Sequence, residues 1–192
     1  FYWLLAILEE LRNDPNSAFE IDALLARMVA LAWYPTNYFR LSFGKADQLA
    51  RCVSALMQES GLGKNAKPAE IFHTVGLLGN DHERNQAYAE LRERARFVPY
   101  RFLSPWFSQD LRGLEDHHRN KAIENLAAQH FHNHNNLPLY KFTEAGRAIK
   151  LQPRWRGYLQ RHLAIVQSFV AWHLVQYVQK LNPNAPGIPN KL

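Results

Sequence analysis

Through the first half of the chain, hydrophobic residues recur at helical spacing. "FYWLLAILEEL" predicts a helix from Phe1 to Arg12, ended by the turn formers Asn13, Asp14 and Pro15. "FEIDALLARMVALAW" places Ile21, Leu24, Leu25, Met28 and Leu31 on one face, and Pro35 is expected to end or kink that helix. "ADQLARCVSALMQESG" repeats the pattern with Leu49, Cys52, Val53, Leu56 and Met57, with Gly61 as its C-terminal stop. Shorter helices are expected over Pro68–Leu78 and Glu83–Arg94.

The pattern changes at "RFVPYRFLSPW". Pro99 and Pro105 there argue for an extended crossing segment from Arg96 to Trp106. A helix resumes from Glu115 to Phe131, turning Ile123, Leu126, Ala127, His130 and Phe131 inward. "LPLYKFTEAGRAIKLQP" alternates instead. Tyr140 and Phe142 share one face, Ile149 and Leu151 sit on the partner strand, and Glu144-Ala145-Gly146 forms the turn of a β-hairpin. The longest helix is expected from Trp155 to Leu181, with an apolar stripe of Leu159, Leu163, Val166, Val170, Leu174, Tyr177 and Leu181. Pro183, Pro186 and Pro189 then mark "NPNAPGIPNKL" as an extended linker. The expected fold class is mainly α: a multi-helix domain over residues 1–181 with one small β-hairpin, and a Pro-rich linker over 182–192. A chain that opens inside a helical pattern and closes on a linker is expected to be a piece of a longer protein, with a further domain C-terminal to it.

Composition narrows the class. A 192-residue chain is long enough for one real core, and 47% hydrophobic with 21% charged residues excludes a disordered profile. The lone Cys52 has no internal disulfide partner and no signal-peptide pattern is visible, which makes the cytoplasm the expected location. The apolar stretch "LAIVQSFVAWHLVQYV" carries Gln167, His173 and Gln176, so it reads as a buried amphipathic helix and not as a membrane span. The net charge of +6 is unevenly spread. Residues 1–90 hold 8 Lys/Arg against 11 Asp/Glu, or −3, and residues 91–192 hold 15 against 6, or +9. Such asymmetry fits a polyanionic partner, nucleic acid above all, or else a plain solvated basic face.

Four stretches invite a chemical reading. "QHFHNHNNLP" sets His130, His132 and His134 at alternate positions, and "EDHH" adds Glu115, Asp116, His117 and His118 at the other end of the same helix. About 20 Å of helix separates the two groups, so they cannot share one ion, and no metal site is assigned. The literal H-N-H is no nuclease either, because neighbours on an extended chain point to opposite faces. "GLGKN" at Gly61–Asn65 lacks the spacing and the following Ser/Thr of a phosphate loop. "AWYPTNYFRLSFGKADQ" interleaves Tyr34, Tyr38, Phe39 and Phe43 with Asn37, Arg40 and Lys45. A loop of aromatics, an amide and cations suits phosphate and base contacts. It equally suits a connector whose rings plug the core.

The cations themselves cluster. Arg92, Arg94, Arg96 and Arg101 fall within ten positions, and the hairpin with the following helix supplies Lys141, Arg147, Lys150, Arg154, Arg156 and Arg161 against the single acid Glu144. The planar guanidinium fork donates paired hydrogen bonds to phosphate, so this basic half, residues 91–181, is the expected grip on a nucleic-acid backbone. No catalytic residue and no cofactor is assigned within the chain.

The runs "FYWLLAILEEL", "ALAWYPTNYFRLSFGKADQL", "VPYRFLSP" and "NPNAPGIPNKL" together resemble the N-terminal region of bacterial HNH endonuclease domain proteins. In that family an α-helical front domain is followed by a linker and a C-terminal ββα-metal nuclease. The resemblance implies a DNA-binding and positioning domain for antiviral defence, with the nuclease, and its Mg or Mn ion, lying beyond this chain. It implies, alternatively, a subunit of an RNA-guided CRISPR effector complex that contacts the protospacer-adjacent motif, guide RNA and sister subunits. A protein-interaction scaffold without DNA readout is the rival from another class.

Overall fold

The computed structural model describes residues 1–13, 18–44, 47–80, 85–133 and 136–192. The first helix, α1 (Tyr2–Asn13), buries Trp3, Ile7, Leu8 and Leu11 at the expected spacing. Helix α2 (Ile21–Trp33) is apolar on nearly every side, burying Leu24, Leu25, Ala26, Met28, Val29, Ala30, Ala32 and Trp33. A helix with no polar face belongs in the middle. Accordingly α2 lies between α1 and α4 (Pro68–Asn80), while α3 (Gln48–Ser60) packs on α5 (Gln86–Ala95). Arg27 is the one cation folded into this layer. Its guanidinium meets Glu10 at 2.7 Å and covers the Phe72 ring at 3.7 Å, so both charge and stem are used. Close approach of α4 and α5 requires Gly79, where a Cβ would come within 2.8 Å of the Tyr88 ring.

Helix ends follow the local chemistry. Asp47 accepts from Ala50 N at 2.8 Å to cap α3, and Gly61 ends that helix in the left-handed conformation. Asn85 caps α5 by accepting from Tyr88 N, and Glu59 of α3 takes the Ala87 N–H. The expected turn at Asp14–Pro15 and the first residues of the Glu83–Arg94 helix lie outside the described residues.

Three departures from the sequence reading have physical causes. Phe19, expected inside α2, instead belongs to a short strand, β1 (Ala18–Glu20), which makes the hairpin a three-stranded antiparallel sheet in the order β1-β3-β2. A three-residue strand with one buried residue carries too little periodicity to detect. Helix α2 ends at Trp33, two residues before Pro35, as expected of an end or a kink there. The chain widens into a π turn over Tyr34–Tyr38, in which Phe39 N donates to Tyr34 O, and the wider turn accommodates the missing proline N–H. Arg96–Trp106 is not extended. It forms α6 (Val98–Leu103) and a 3-10 turn (Ser104–Phe107), because Pro99 and Pro105 each fall in a first turn, where no N–H is needed. The single helix expected over Trp155–Leu181 is two, α8 (Pro153–Arg161) and α9 (Leu163–Leu181), broken at His162 (φ −115°, ψ 22°).

The hairpin itself joins the expected strands. In β2 (Tyr140–Thr143) and β3 (Ala148–Leu151), Tyr140 faces Leu151 and Phe142 faces Ile149 on the core side. Tyr140 is fully buried, and its hydroxyl joins α1 to α6 by accepting from Trp3 Nε1 at 3.0 Å and donating to Pro99 O at 2.5 Å. Helix α7 (Asp116–His130) buries Ile123 and Ala127, as expected, and Phe131 follows it into the core. In α9 the buried residues are Val170, Leu174 and Val178; Tyr177 and Leu181 of the expected stripe lie at its exposed edge. Its outer side leaves Ile165, Phe169 and Trp172 exposed. The Pro-rich segment packs along the domain. Ile188, in a turn of 3-10 helix, is fully buried in a small cluster with Leu41, Phe43, Leu174 and Val178.

Candidate nucleic-acid interface

The basic half converges on the sheet end of α2. Behind the hairpin, buried Gln152 accepts from Arg154 N and Trp155 N and donates to Phe131 O, which caps α8 and fixes its exit from β3. Two indoles, Trp106 and Trp155, both donate to Leu137 O, at 3.1 and 2.9 Å, and secure the chain entering β2. Arg154 and Arg156 are thereby held in the opening turns of α8. Cations there oppose the helix macrodipole, so their presence is not explained by helix stability.

On the outer sheet face Lys141 stands directly opposite Lys150. Like charges so placed repel, and Lys141 Nζ turns over the Phe131 ring at 4.6 Å. The single acid of that face, Glu20, lies in the next row, opposite Ala148. The turn of the hairpin runs left-handed through Glu144 (φ 52°), Ala145 (φ 56°) and Gly146 (φ 85°). Only Gly146 suits that conformation, and the other two are strained. The turn delivers Arg147 to a cleft of about 470 Å³, lined also by Asp22, Arg92, Arg96, Tyr100 and Asn120.

The structure therefore brings Arg147 to Arg92 and Arg96, which belong to a distant stretch of the sequence. It also pairs the first arginine cluster with acids. Arg92 meets Asp22 at 3.4 Å, Arg94 meets Glu90 at 2.5 Å, Arg96 meets Glu93 at 2.8 Å, and Arg101 meets Asp116 at 3.3 Å. Arg94 also reaches Gln48, which draws it to the side of α3 and away from the cleft. Exposed pairs of this kind contribute roughly 0–1 kcal/mol each, and an arriving phosphate can exchange with them.

The loop "YPTNYFRLSFGK" forms a second centre at the other end of α2. Of its aromatics, Phe43 is buried, Tyr34 and Phe39 are partly covered, and Tyr38 is exposed. Asn37, expected to read a base edge, is only 5% exposed, and its Oδ1 accepts from Ser54 Oγ at 3.3 Å. It forms part of the floor of a basin and does not project from a loop. Arg40 stands at the rim with its backbone in the left-handed region (φ 53°). Lys45 lies outside the described residues. Arg51 and Ser54 of α3 and Lys64 of the "GLGKN" segment, none of them picked out from sequence, complete the basin. The signal was present as a polar stripe at positions 51, 54 and 58 of α3.

No family model, curated protein or solved structure matches this chain. The site is thus read from its own geometry.

The histidines fall into place around that geometry. His130 packs near Phe107, with ring centres 5.9 Å apart, and His134 lies outside the described residues. Glu115, His117 and His118 bring one ligand atom each within 4.8 Å of one another at the start of α7. All three are exposed, and His117 contacts Glu115 at 3.4 Å. Cys52 is buried at an apolar wall, and desolvation raises its thiol to about 11, so it is no nucleophile. Among the described residues no helix is long and apolar enough to cross a membrane.

Proposed function

We propose that this chain binds DNA through its basic half and positions it for an HNH nuclease lying C-terminal to it, in a prokaryotic antiviral-defence protein. The observation that carries the DNA-binding part is the convergence of Arg92, Arg96 and Arg147 on one cleft. Arginines from two distant segments meet there, the hairpin turn is strained in delivering one of them, and two lysines face each other at a cost in stability. Such features favour a polyanion that settles across them. The nuclease part rests on the resemblance of the four sequence runs to HNH endonuclease proteins. In that reading a Mg or Mn ion belongs to the nuclease unit and none to these residues.

A duplex held by a guide-RNA complex presents the same phosphates, so the guide-dependent reading uses the same cleft. The scaffold reading draws on a different surface, the exposed Ile165, Phe169 and Trp172 of α9. The two are separated by reversing Lys141, Arg147 and Lys150 to Glu. All three side chains stand on the hairpin, away from the core, so the variant is expected to fold. Fluorescence anisotropy should show duplex binding weakened by tenfold or more, equally for unrelated sequences, because phosphate contacts carry no sequence information. Unchanged affinity in the folded variant would remove the cleft from the account and favour the scaffold.

A further inference from the structure

At the far end of α2, about 20 Å from the arginine cleft by its 13 residues, lies the basin of about 700 Å³ between the π turn and α3. Arg40, Arg51 and Lys64 line it, and among the described residues no carboxylate does. None of these three cations makes an ion pair among the described residues, whereas the arginines of α5 are all paired. Beneath them the Asn37 Nδ2 and Thr36 Oγ1 are buried without a partner. Both residues are more than nine-tenths covered, and Ser54 Oγ occupies the amide's other end at Oδ1. A buried amide donor left open is costly, and the fold retains two unsatisfied polar groups under one cationic rim.

The surrounding contacts hold this arrangement in place. Trp33 Nε1 donates to Gly63 O at 3.1 Å and Tyr34 Oη donates to Asn65 O at 3.2 Å, so both neighbours of Lys64 are tied to the end of α2. Arg51 and Ser54 are set one turn apart on α3. Arg40 reaches the rim only by adopting a backbone conformation suited to glycine, closed by Leu41 N donating to Pro35 O at 2.9 Å. Strain and π turns recur where a backbone is bent toward a ligand.

From this we infer that the basin is a phosphate-binding site in which Arg40, Arg51 and Lys64 neutralise the group and the buried Asn37 amide lies under it. The cations match a tetrahedral oxyanion. The site lies in the half of the chain whose formal charge is −3, so it is not a by-product of an all-basic surface. It stands independently of the arginine cleft.

Titrating inorganic phosphate into the ¹⁵N-labelled chain at constant ionic strength tests this. The Asn37 side-chain amide resonance should shift saturably, and Arg51→Ala/Lys64→Ala, both exposed positions, should raise the apparent Kd at least tenfold. Arg40→Gly should weaken phosphate severalfold while raising the melting temperature, a combination that a structural role for Arg40 cannot produce. A 5′-phosphorylated oligonucleotide and its unphosphorylated twin then identify the source. Competition by the first alone assigns a phosphate monoester, and equal competition assigns a backbone diester. A shift that grows without saturation, or one unchanged in Arg51→Ala/Lys64→Ala, overturns the inference. The hairpin reversal variant should bind phosphate normally, so failure of the cleft and failure of the basin read out separately.

Discussion

The Tyr140 hydroxyl is a buried polar atom on which three segments meet, through Trp3 Nε1 and Pro99 O. Tyr140→Phe keeps the ring and its packing but leaves a buried indole N–H and a buried carbonyl open. The expected loss is about 1–3 kcal/mol, measured by urea unfolding. A Trp3→Phe/Tyr140→Phe double variant should lose less than the sum of the single losses, and additivity would mean the two groups do not interact. Cys52 gives a second residue-scale test, through pH. Its thiol ionises near pH 8.5 when unfolded and at about 11 when folded, with burial the leading cause. A raised folded value means its contribution is fully present below pH 8.5 and is lost as pH rises toward 11. Burial also raises Tyr2, Tyr88 and Tyr140, and they act in the same direction above pH 10. Wild type should therefore lose stability faster than Cys52→Ala between pH 8.5 and 10, and parallel curves would contradict the assignment.

At the scale of elements, the helices with strong 3.6-residue periodicity were legible, and so were the two strands of the hairpin and the faces of Tyr140, Phe142, Ile149 and Leu151. What the sequence concealed lies at prolines and at short elements. Pro99 and Pro105 look like helix breakers until their positions within a first turn are known, and β1 has a single buried residue, Phe19, to betray it. The break between α8 and α9 at His162 has no proline or glycine to announce it. The same logic governs the site. Arg147 was legible as a cation, but its meeting with Arg92 and Arg96 depends on the strand order β1-β3-β2, which brings the hairpin turn to α2. The burial of Asn37 was not legible because a widening of α2 into a π turn leaves no trace in residue spacing. The hairpin turn supplies the element-scale prediction. Ala145 sits at φ 56° and ψ 36°, so Ala145→Gly should stabilise the protein by about 1 kcal/mol in thermal or urea unfolding. A destabilised Ala145→Gly would show that the turn is not strained there.

For the whole molecule, formal charges of −3 and +9 on the two halves describe composition but not the surface. Folding neutralises much of the arginine cluster at the end of α5 through Asp22, Glu90 and Glu93, and leaves cations on the basin rim, in the nominally acidic half, without an ion pair among the described residues. Two cationic centres result, one at each end of the central helix α2. A partner that touches only the cleft and sheet should respond to salt in proportion to the phosphates held there. The most direct test of DNA binding by this surface is the slope of log affinity for duplex DNA against log salt concentration. That slope should be measured for wild type and for the variant with Lys141, Arg147 and Lys150 reversed to Glu. Each phosphate contact contributes about 0.9 to the slope, so the variant's should be shallower by about 2 to 3. Identical slopes and affinities in two folded proteins would contradict the account.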